Sequence, residues 1–494
     1  FALGLAFAVA LNRAFAGRGI VRSIVLLPWA FPAVVTAVIF RLLLNDQAGV
    51  INHLANGAGL VDGAMLLDRT ALIVSAILVD VWKSAPFMAL LLLPGLASIP
   101  KDVYEAARVD GAGAWERFRY ITLPLAKPVL LVALLFRTLD AMRVYDLFWV
   151  MTARELESLS TYVYKGVLIS QLRFSEGNAA AVVAFLIALS VAFAFARSMR
   201  ATTGRRQADS SAEAARAEGL GTPVRALGFY AGIALLLAFT SGPLFLIAKM
   251  SVASPVDIAA TPPTILPHSF TLDTFARVLQ DDRFRQGIYN STAVALSTTL
   301  ICVVLGSLAA YALARFNVKR AGMILTVMLG IGFFPPVAIL APLFLSLSQT
   351  GLIDTYWAMI IPDTVFALPL AIWLLTTFFR ELPANVEEAA QIDGATAFQI
   401  LRKIVVPLGA PGVFTAGVVT FVLTWNEYLF ANTFTFTPEI KPATVVIADY
   451  AGTAVPDFGG AAAAAVILTL PVALLILVFQ RRIVSGLTAA VAGE

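Results

Sequence analysis

The chain has 494 residues, of which 59% are hydrophobic and 13% are charged, with a formal net charge of +4. A soluble domain carries about 25% charged residues, so this composition excludes a soluble globular protein. Its basic residues lie in short loops between apolar runs, a pattern typical of membrane topology and not of nucleic-acid binding.

Eleven apolar runs follow one another along the chain, and a helix needs about 20 residues to cross a bilayer. We predict spans at about 1–11, 20–44, 70–95, 128–150 and 178–197, and then at about 226–250, 290–314, 322–347, 356–379, 410–432 and 460–480. The first run begins at Phe1 and is incomplete, so we expect an N-terminal truncation. The complete protein would hold about twelve helices, six in each half.

The stretch 201–222 separates the two sets of spans. It is rich in Ala, Ser, Gly and charged residues, a composition that cannot bury a core and is typical of a flexible linker. We therefore predict a first half at 1–197, a cytoplasmic linker at 198–225 and a second half at 226–494.

Two polar segments between spans share one sequence pattern. The first contains Glu105, Ala106, Ala107, Asp110 and Gly111; the second contains Glu388, Ala389, Ala390, Asp393 and Gly394, each numbered 283 higher. The pattern predicts a short helix that stops at the glycine, and then a proline that starts the next helix, Pro124 or Pro407.

The basic residues fix the orientation of the chain. Counting spans places nearly all of their clusters on one side of the membrane, which is the cytoplasmic side by the positive-inside rule. Both polar segments lie on that side, and both halves run in the same direction. The sequence therefore predicts an all-α, polytopic transmembrane helical bundle of two parallel repeats.

The two polar segments resemble the EAA loops of the membrane subunits of binding-protein-dependent ABC importers. Trp425-Asn426-Glu427-Tyr428 is similar to the second subunit of the maltose-type carbohydrate importers, and Arg143-Val144-Tyr145-Asp146 to the first. Two features depart from the family: the halves are joined, and Ala153-Arg154-Glu155 replaces the usual Gly-Gly-Pro.

The resemblance implies a multi-pass permease of the inner (plasma) membrane, with no catalytic or metal-binding residues of its own. It would import a sugar, a di- or oligosaccharide, by alternating access. Its partners would be two ATP-binding cassette subunits, an extracytoplasmic solute-binding protein, the sugar and the lipid bilayer. The chain has no P-loop sequence, so ATP and Mg²⁺ are expected on the partner ATPase. The ten residues of the two polar segments named above would be the ATPase-coupling residues.

Charged residues inside a membrane usually face the bundle interior. Arg137, Asp140, Arg143 and Asp146 recur at steps of three, which permits either an ion ladder along one helix or a polar wall of the path. An aromatic ring such as Trp82 could cover a sugar or merely pack. The predicted substrate-path residues are Asp80, Trp82, Asp140, Arg143, Asp363, Trp425, Asn426 and Glu427.

Two other functions fit parts of the pattern. One is an ABC importer for another solute, such as glycerol phosphate, a polyamine or an oxyanion. The other is a proton-coupled secondary transporter, in which Asp80, Asp140, Asp363 and Glu427 carry protons. The duplicated segment disfavours the second, because such carriers need no docking helices.

Overall fold

The computed structural model describes residues 1–13, 15, 17–169, 174–203, 223–264, 266–316, 318–332, 334–452 and 457–492. Its regular structure is helical throughout those residues, as predicted, apart from one isolated bridge between Ala253 and Phe270. Most of the predicted linker, 204–222, lies outside the described residues, so the domain boundaries stay a prediction.

The first half contains ten α-helices and three π-helical turns in the described residues. The helices are α1 Ala2–Asn12, α2 Arg18–Ala30, α3 Ala33–Leu43, α4 Val50–Gly57, α5 Arg69–Ala97, α6 Lys101–Val109, α7 Ala114–Arg117, α8 Leu123–Met142, α9 Leu159–Tyr164 and α10 Phe174–Thr203. The π-helical turns are Phe118–Thr122, Leu147–Met151 and Lys165–Ile169.

The second half follows a similar order after three additional opening helices, and it has no counterpart of α4 among the described residues. Its helices are α11 Pro223–Val252, α12 Pro255–Ile258, α13 Asp273–Gln280, α14 Asp282–Arg315, α15 Ala321–Gly332, α16 Leu340–Gln349, α17 Trp357–Glu381, α18 Ala384–Ile392, α19 Ala397–Ile400, α20 Val406–Leu408, α21 Ala410–Trp425, α22 Leu429–Phe434, α23 Ala443–Gly452 and α24 Phe458–Ala492. A 3₁₀ turn, Pro336–Ile339, precedes α16, and a π-helical turn, Leu401–Val405, precedes α20.

Seven described helices are long and apolar enough to cross a membrane, or up to ten spans if each bent pair counts as one. Two of the predicted spans are bent helix pairs. The run 20–44 bends by 88° between α2 and α3, and the run 322–347 bends by 85° between α15 and the segment Pro336–Gln349. Pro32 and Pro335 lie at these breaks, where the proline ring disfavours a continuous helix.

Two other predicted spans are shorter than expected. The run 128–150 ends as an α-helix at Met142, and the run 410–432 ends at Trp425. These ends are 283 residues apart, so both halves interrupt the same helix at the same place. A short helix then follows each break, Leu147–Met151 in the first half and α22 in the second.

Close helix packing repeats between the halves. Gly4 of α1 lies against Ala85, Met88 and Ala89 of α5, and Gly306 of α14 lies against Ala371 and Ile372 of α17 at the positions equivalent to Met88 and Ala89. At a second contact the two helices exchange roles. In the first half Val129 of α8 packs against Gly95 of α5, whereas in the second half Phe378 of α17 packs against Gly412 of α21. Each of these contacts therefore uses a glycine in both halves, but at the second contact the glycine lies on the opposite helix of the pair.

We expect Gly412→Ala to destabilise the protein. A Cβ at Gly412 would lie 2.4 Å from the Phe378 ring, closer than any real contact, whereas one at Gly417 on the same helix would lie 3.6 Å from its nearest neighbour. Overpacking costs about 1–3 kcal/mol. Thermal unfolding of the detergent-purified protein should show a lowered midpoint for Gly412→Ala and an unchanged one for Gly417→Ala. Equal midpoints would contradict the packing.

The halves interlock through helices that cross from one to the other. The first helix of the second half, α11, packs against α2 and α24, and α24 in turn packs against α3. The Trp82 indole donates to the Phe239 carbonyl on α11 (2.9 Å). One buried apolar cluster accordingly contains side chains from both halves.

The loop between α11 and α14 is organised by one carboxylate. Asp257 accepts hydrogen bonds from the hydroxyl of Ser254 and the backbone N–H of Ser269, and its Oδ1 lies 2.7 Å from Nδ1 of His268. The hydrogen bond to His268 holds the pKa of the Asp257 carboxyl well below its usual range. Because hydrogen bonds to the charged form favour ionisation, the Asp257 carboxylate stays charged and holds Ser254, His268 and Ser269 together.

Candidate functional site

The two polar segments, hereafter the twin segments (101–122 and 384–405), have the same structure residue for residue. Helix α6 and helix α18 begin and end at positions that differ by 283. Two residues after the end of each helix lies a glycine of positive φ, +82° at Gly111 and +79° at Gly394. The next N–H then donates back to the helix, from Ala112 to Ala107 and from Ala395 to Ala390, at 2.9 Å in both copies.

The restart of the chain after each glycine is also duplicated. The Gly113 N–H donates to the Glu116 carboxylate (2.7 Å), and the Thr396 N–H donates to the Gln399 side-chain oxygen (2.8 Å). A π-helical turn follows in each copy, at Phe118–Thr122 and at Leu401–Val405. Two separate stretches of chain thus adopt one backbone shape twice.

The predicted coupling residues are accessible in both copies. Eight of the ten are exposed, and the remaining two, Ala107 and Ala390, are half-buried at equivalent positions. Their exposure leaves the twin segments free to contact another molecule; what they contact stays a prediction.

Sequence reasoning missed three exposed apolar positions that recur in both segments. Val109 is 88% exposed and Ile392 is 87% exposed, and the pairs Trp115 with Phe398 and Val103 with Val386 are exposed as well. Each pair is 283 residues apart, so a comparison of the two copies by side-chain class could have found them. Exposed apolar patches on a polar segment mark interaction sites.

The predicted ion ladder of four residues is only partly present. The Arg137 guanidinium forms ion pairs with Asp80 and, at 2.6 Å, with Asp140. Helix α8 ends at Met142, so Arg143 and Asp146 do not continue the row. Arg143 instead donates to the Gly332 carbonyl in the second half (3.1 Å). The four-residue row is therefore limited to Arg137 and Asp140, because α8 stops one residue before Arg143.

Both predicted tryptophans are buried, each with its indole N–H bonded to a backbone carbonyl. Trp82 bonds Phe239, and Trp425 bonds Leu468 at 3.1 Å. In this conformation both rings therefore pack within the bundle.

Three predicted residues of the second half lie around one small cleft. Asp363, Trp425 and Glu427 line it together with Ser291 and Thr444. Glu427 accepts the backbone N–H groups of Phe430 (2.7 Å) and Ala431 (3.0 Å), so it caps α22. The neighbouring Asn426 has a buried side-chain oxygen without a hydrogen-bond partner among the described residues. Those residues contain no group of three or more His, Cys, Asp or Glu placed to hold a metal ion.

An aromatic cluster lies where the two helix breaks meet. Tyr145 and Tyr428 occupy equivalent positions, and their ring centroids are 6.1 Å apart. Tyr164 and Trp149 complete the cluster, and the Asn432 amide donates to the Tyr164 hydroxyl (3.1 Å). Side chains of both halves thus converge here, a juxtaposition that the sequence spacing alone does not reveal.

The segment Ala153-Arg154-Glu155, which differs from the family pattern described above, has an unusual backbone conformation. Ala153 and Arg154 have φ values of 50° and 71°, the left-handed region that glycine adopts most readily. The Arg154 guanidinium lies 4.4 Å from the centre of the Trp149 ring, an attractive cation–π contact. Two glycines, which the resemblance implies for the family, would adopt this backbone more readily than Ala153 and Arg154.

Comparison with known families gives a match over most of the chain. The model of the family described as "Binding-protein-dependent transport system inner membrane component" matches residues 1–199 and again 302–488. The two matched regions fall in the two halves and contain both twin segments.

Individual relatives each align with about half of the chain or less. The trehalose transport system permease protein SugB of Mycobacterium tuberculosis is 41% identical over 46% of this chain and 83% of its own length. The sulfoquinovosyl glycerol transport system permease protein SmoH of Agrobacterium fabrum is 38% identical over 54% and 93%. The trehalose/maltose permease protein MalF of Thermococcus litoralis is 41% identical over 38% and 64%.

Proposed function

The chain belongs to the binding-protein-dependent transport system inner membrane components and is a multi-pass permease of the inner membrane. From that premise we propose that it forms both membrane halves of one ATP-driven sugar importer. If the chain contains two permease-length halves, each single-permease relative should align with only about half of it, as observed.

The observation that carries this proposal is the duplication of the twin segments. Two rigid, exposed helices of identical geometry call for two copies of one partner, and a pair of ATPase subunits fits that requirement. Each subunit would receive one twin segment, with ATP and Mg²⁺ bound and hydrolysed on the partner. The apolar pairs, such as Trp115 and Phe398, would fill its docking cleft, since buried aromatic residues dominate such contacts.

Motion would pass from the twin segments into the spans. Each twin segment follows a long span directly, α5 in the first half and α17 in the second. Closure of the ATPase dimer would therefore move both spans at their ends, and the halves would rock between inward-open and outward-open states. The aromatic cluster at the two helix breaks joins the halves, so rocking would open and close the bundle there.

The favoured substrate is a neutral di- or oligosaccharide delivered by an extracytoplasmic solute-binding protein. The named relatives transport trehalose, maltose or sulfoquinovosyl glycerol. Arg137 is held by two carboxylates, and Lys83 lies within electrostatic range of Asp140 and Asp146. Paired cations suit a neutral ligand better than an anion, and aromatic rings with hydroxyl and amide groups suit a sugar.

Transport by reconstituted vesicles tests the proposal. The full chain with its ATPase partner should take up radiolabelled trehalose or maltose when ATP and the solute-binding protein are supplied. A proton gradient without ATP should give no uptake. Uptake driven by the gradient alone would support the secondary-transporter alternative and refute the ABC proposal.

A further inference from the structure

The twin segments are held to the membrane bundle by different contacts. Position 387, just before the duplicated Glu-Ala-Ala, is a glutamate in the second segment, and its counterpart 104 is a tyrosine. Glu387 and Arg315 form an ion pair with 2.6 Å between Oε1 and Nε. Both side chains are largely buried, 6% and 16% exposed respectively.

The Arg315 guanidinium ties three parts of the second half together. It is the last residue of α14, and its Nη2 donates to the Leu382 carbonyl, which lies between α17 and α18 (2.8 Å). Tyr311, one turn earlier on α14, also interacts with Glu387. A buried, forked guanidinium contact of this kind fixes the geometry of its partners.

The first twin segment cannot form the same ion pair at the equivalent position, because that position is Tyr104. The Tyr104 hydroxyl lies 2.9 Å from the Thr122 hydroxyl, at the end of its own segment. The second half has Val405 at the position of Thr122. Arg13, which corresponds to Arg315 by the packing of Gly4 and Gly306, is exposed and lies over the Phe229 ring. A neutral hydroxyl contact within the segment replaces an ion pair to a neighbouring span.

We propose that the Arg315–Glu387 ion pair is a positioning contact that makes α14 move together with the second twin segment. The motion of the ATPase therefore reaches the two halves through different contacts. The proposal rests on the function proposed above. On the second side, α14 and α17 move as one body, because α17 precedes the segment in the chain and the ion pair holds α14 to it. On the first side, Tyr104 stands in place of Glu387, so the motion reaches α5 without this ion pair to α1.

The test compares variants of the full chain in complex with its ATPase. Glu387→Gln should lower ATP-driven uptake about tenfold, in the upper range for residues along a coupling path. ATP hydrolysis and retention of the ATPase should stay near wild-type levels. The matched change in the first segment, Tyr104→Phe, should alter uptake less than about twofold.

A double variant separates positioning from simple stability. Arg315→Met alone leaves the Glu387 carboxylate buried without its partner and should lower the unfolding temperature. The double variant Arg315→Met/Glu387→Gln removes both charges, so its unfolding temperature should recover towards wild type. Uptake should stay as low as in Glu387→Gln alone, because the tie is still absent. A merely structural role would restore stability and uptake together, which would overturn the proposal.

Three other results would also overturn it: normal uptake by Glu387→Gln, equal losses in Glu387→Gln and Tyr104→Phe, or loss of the ATPase from Glu387→Gln. The last would make Glu387 a docking residue. These results differ from failure of the proposed function, in which wild type itself retains no ATPase and shows no ATP-driven uptake.

Discussion

Replacing Gly111 and Gly394 together by valine should cause a large loss of ATP-driven uptake. Both glycines have φ near +80°, a conformation that costs an ordinary L-residue roughly 1–2 kcal/mol and a β-branched residue more. Two such changes distort both twin segments and, at 1.4 kcal/mol per tenfold, should lower uptake about 100-fold. Uptake and co-purification of the ATPase are the measurements.

The space around these glycines makes the experiment specific. A Cβ at either position meets no atom within 4 Å, so the backbone and not crowding causes the effect. Gly113→Ala is the matched control, because Gly113 lies in the same segment with φ −67°. Asparagine tolerates positive φ and should restore part of the uptake at both sites. Full activity of the double valine variant would show that the helix-stop geometry is unnecessary.

Replacing Arg137 by methionine should produce the largest loss of stability. Arg137 is 13% exposed and pairs with Asp80, which is 25% exposed, and with Asp140. Removing one partner of a buried ion pair leaves an uncompensated charge and costs about 3–5 kcal/mol. The yield of folded protein and its unfolding temperature in detergent should both fall.

Two companion variants identify the cause of that loss. Asp80→Asn/Arg137→Met removes both charges of the closest pair and should recover much of the stability. Arg143→Met removes a bond to the Gly332 carbonyl but breaks no direct ion pair among the described residues, so it should cost only about 1–3 kcal/mol. If Arg143→Met proved as damaging as Arg137→Met, the unpaired carboxylate would not be the reason.

Much of the fold followed from the sequence because membrane spans and loops differ in composition. All eleven predicted apolar runs fall on helices, including the short α1. The twin segments were predictable for a different reason: a shared pattern at a fixed interval of 283 needs no knowledge of the surroundings. The glycine stops at Gly111 and Gly394 are local backbone features, and the sequence pattern identified them.

What depends on distant contacts was not predictable. Helices α8 and α21 end inside predicted spans, just before Arg143 and Asn426, and a polar residue within a span does not by itself mark the end of a helix. Trp82 was a candidate for the path, yet its indole bonds a carbonyl 157 positions away. The Arg315–Glu387 pair spans 72 positions and joins residues that are unremarkable in their own segments. Such pairs become visible only when the helices are packed.

Crosslinking tests the central claim most directly, because the sole cysteine, Cys302, is buried and gives little background. Ala106→Cys and Ala389→Cys would place one exposed thiol on each twin segment. In membranes containing the ATPase, a short thiol-to-amine crosslinker should join each variant to one ATPase subunit, and the double variant to two. Absence of ATPase from the products of both single variants, with the complex still active in transport, would contradict the account.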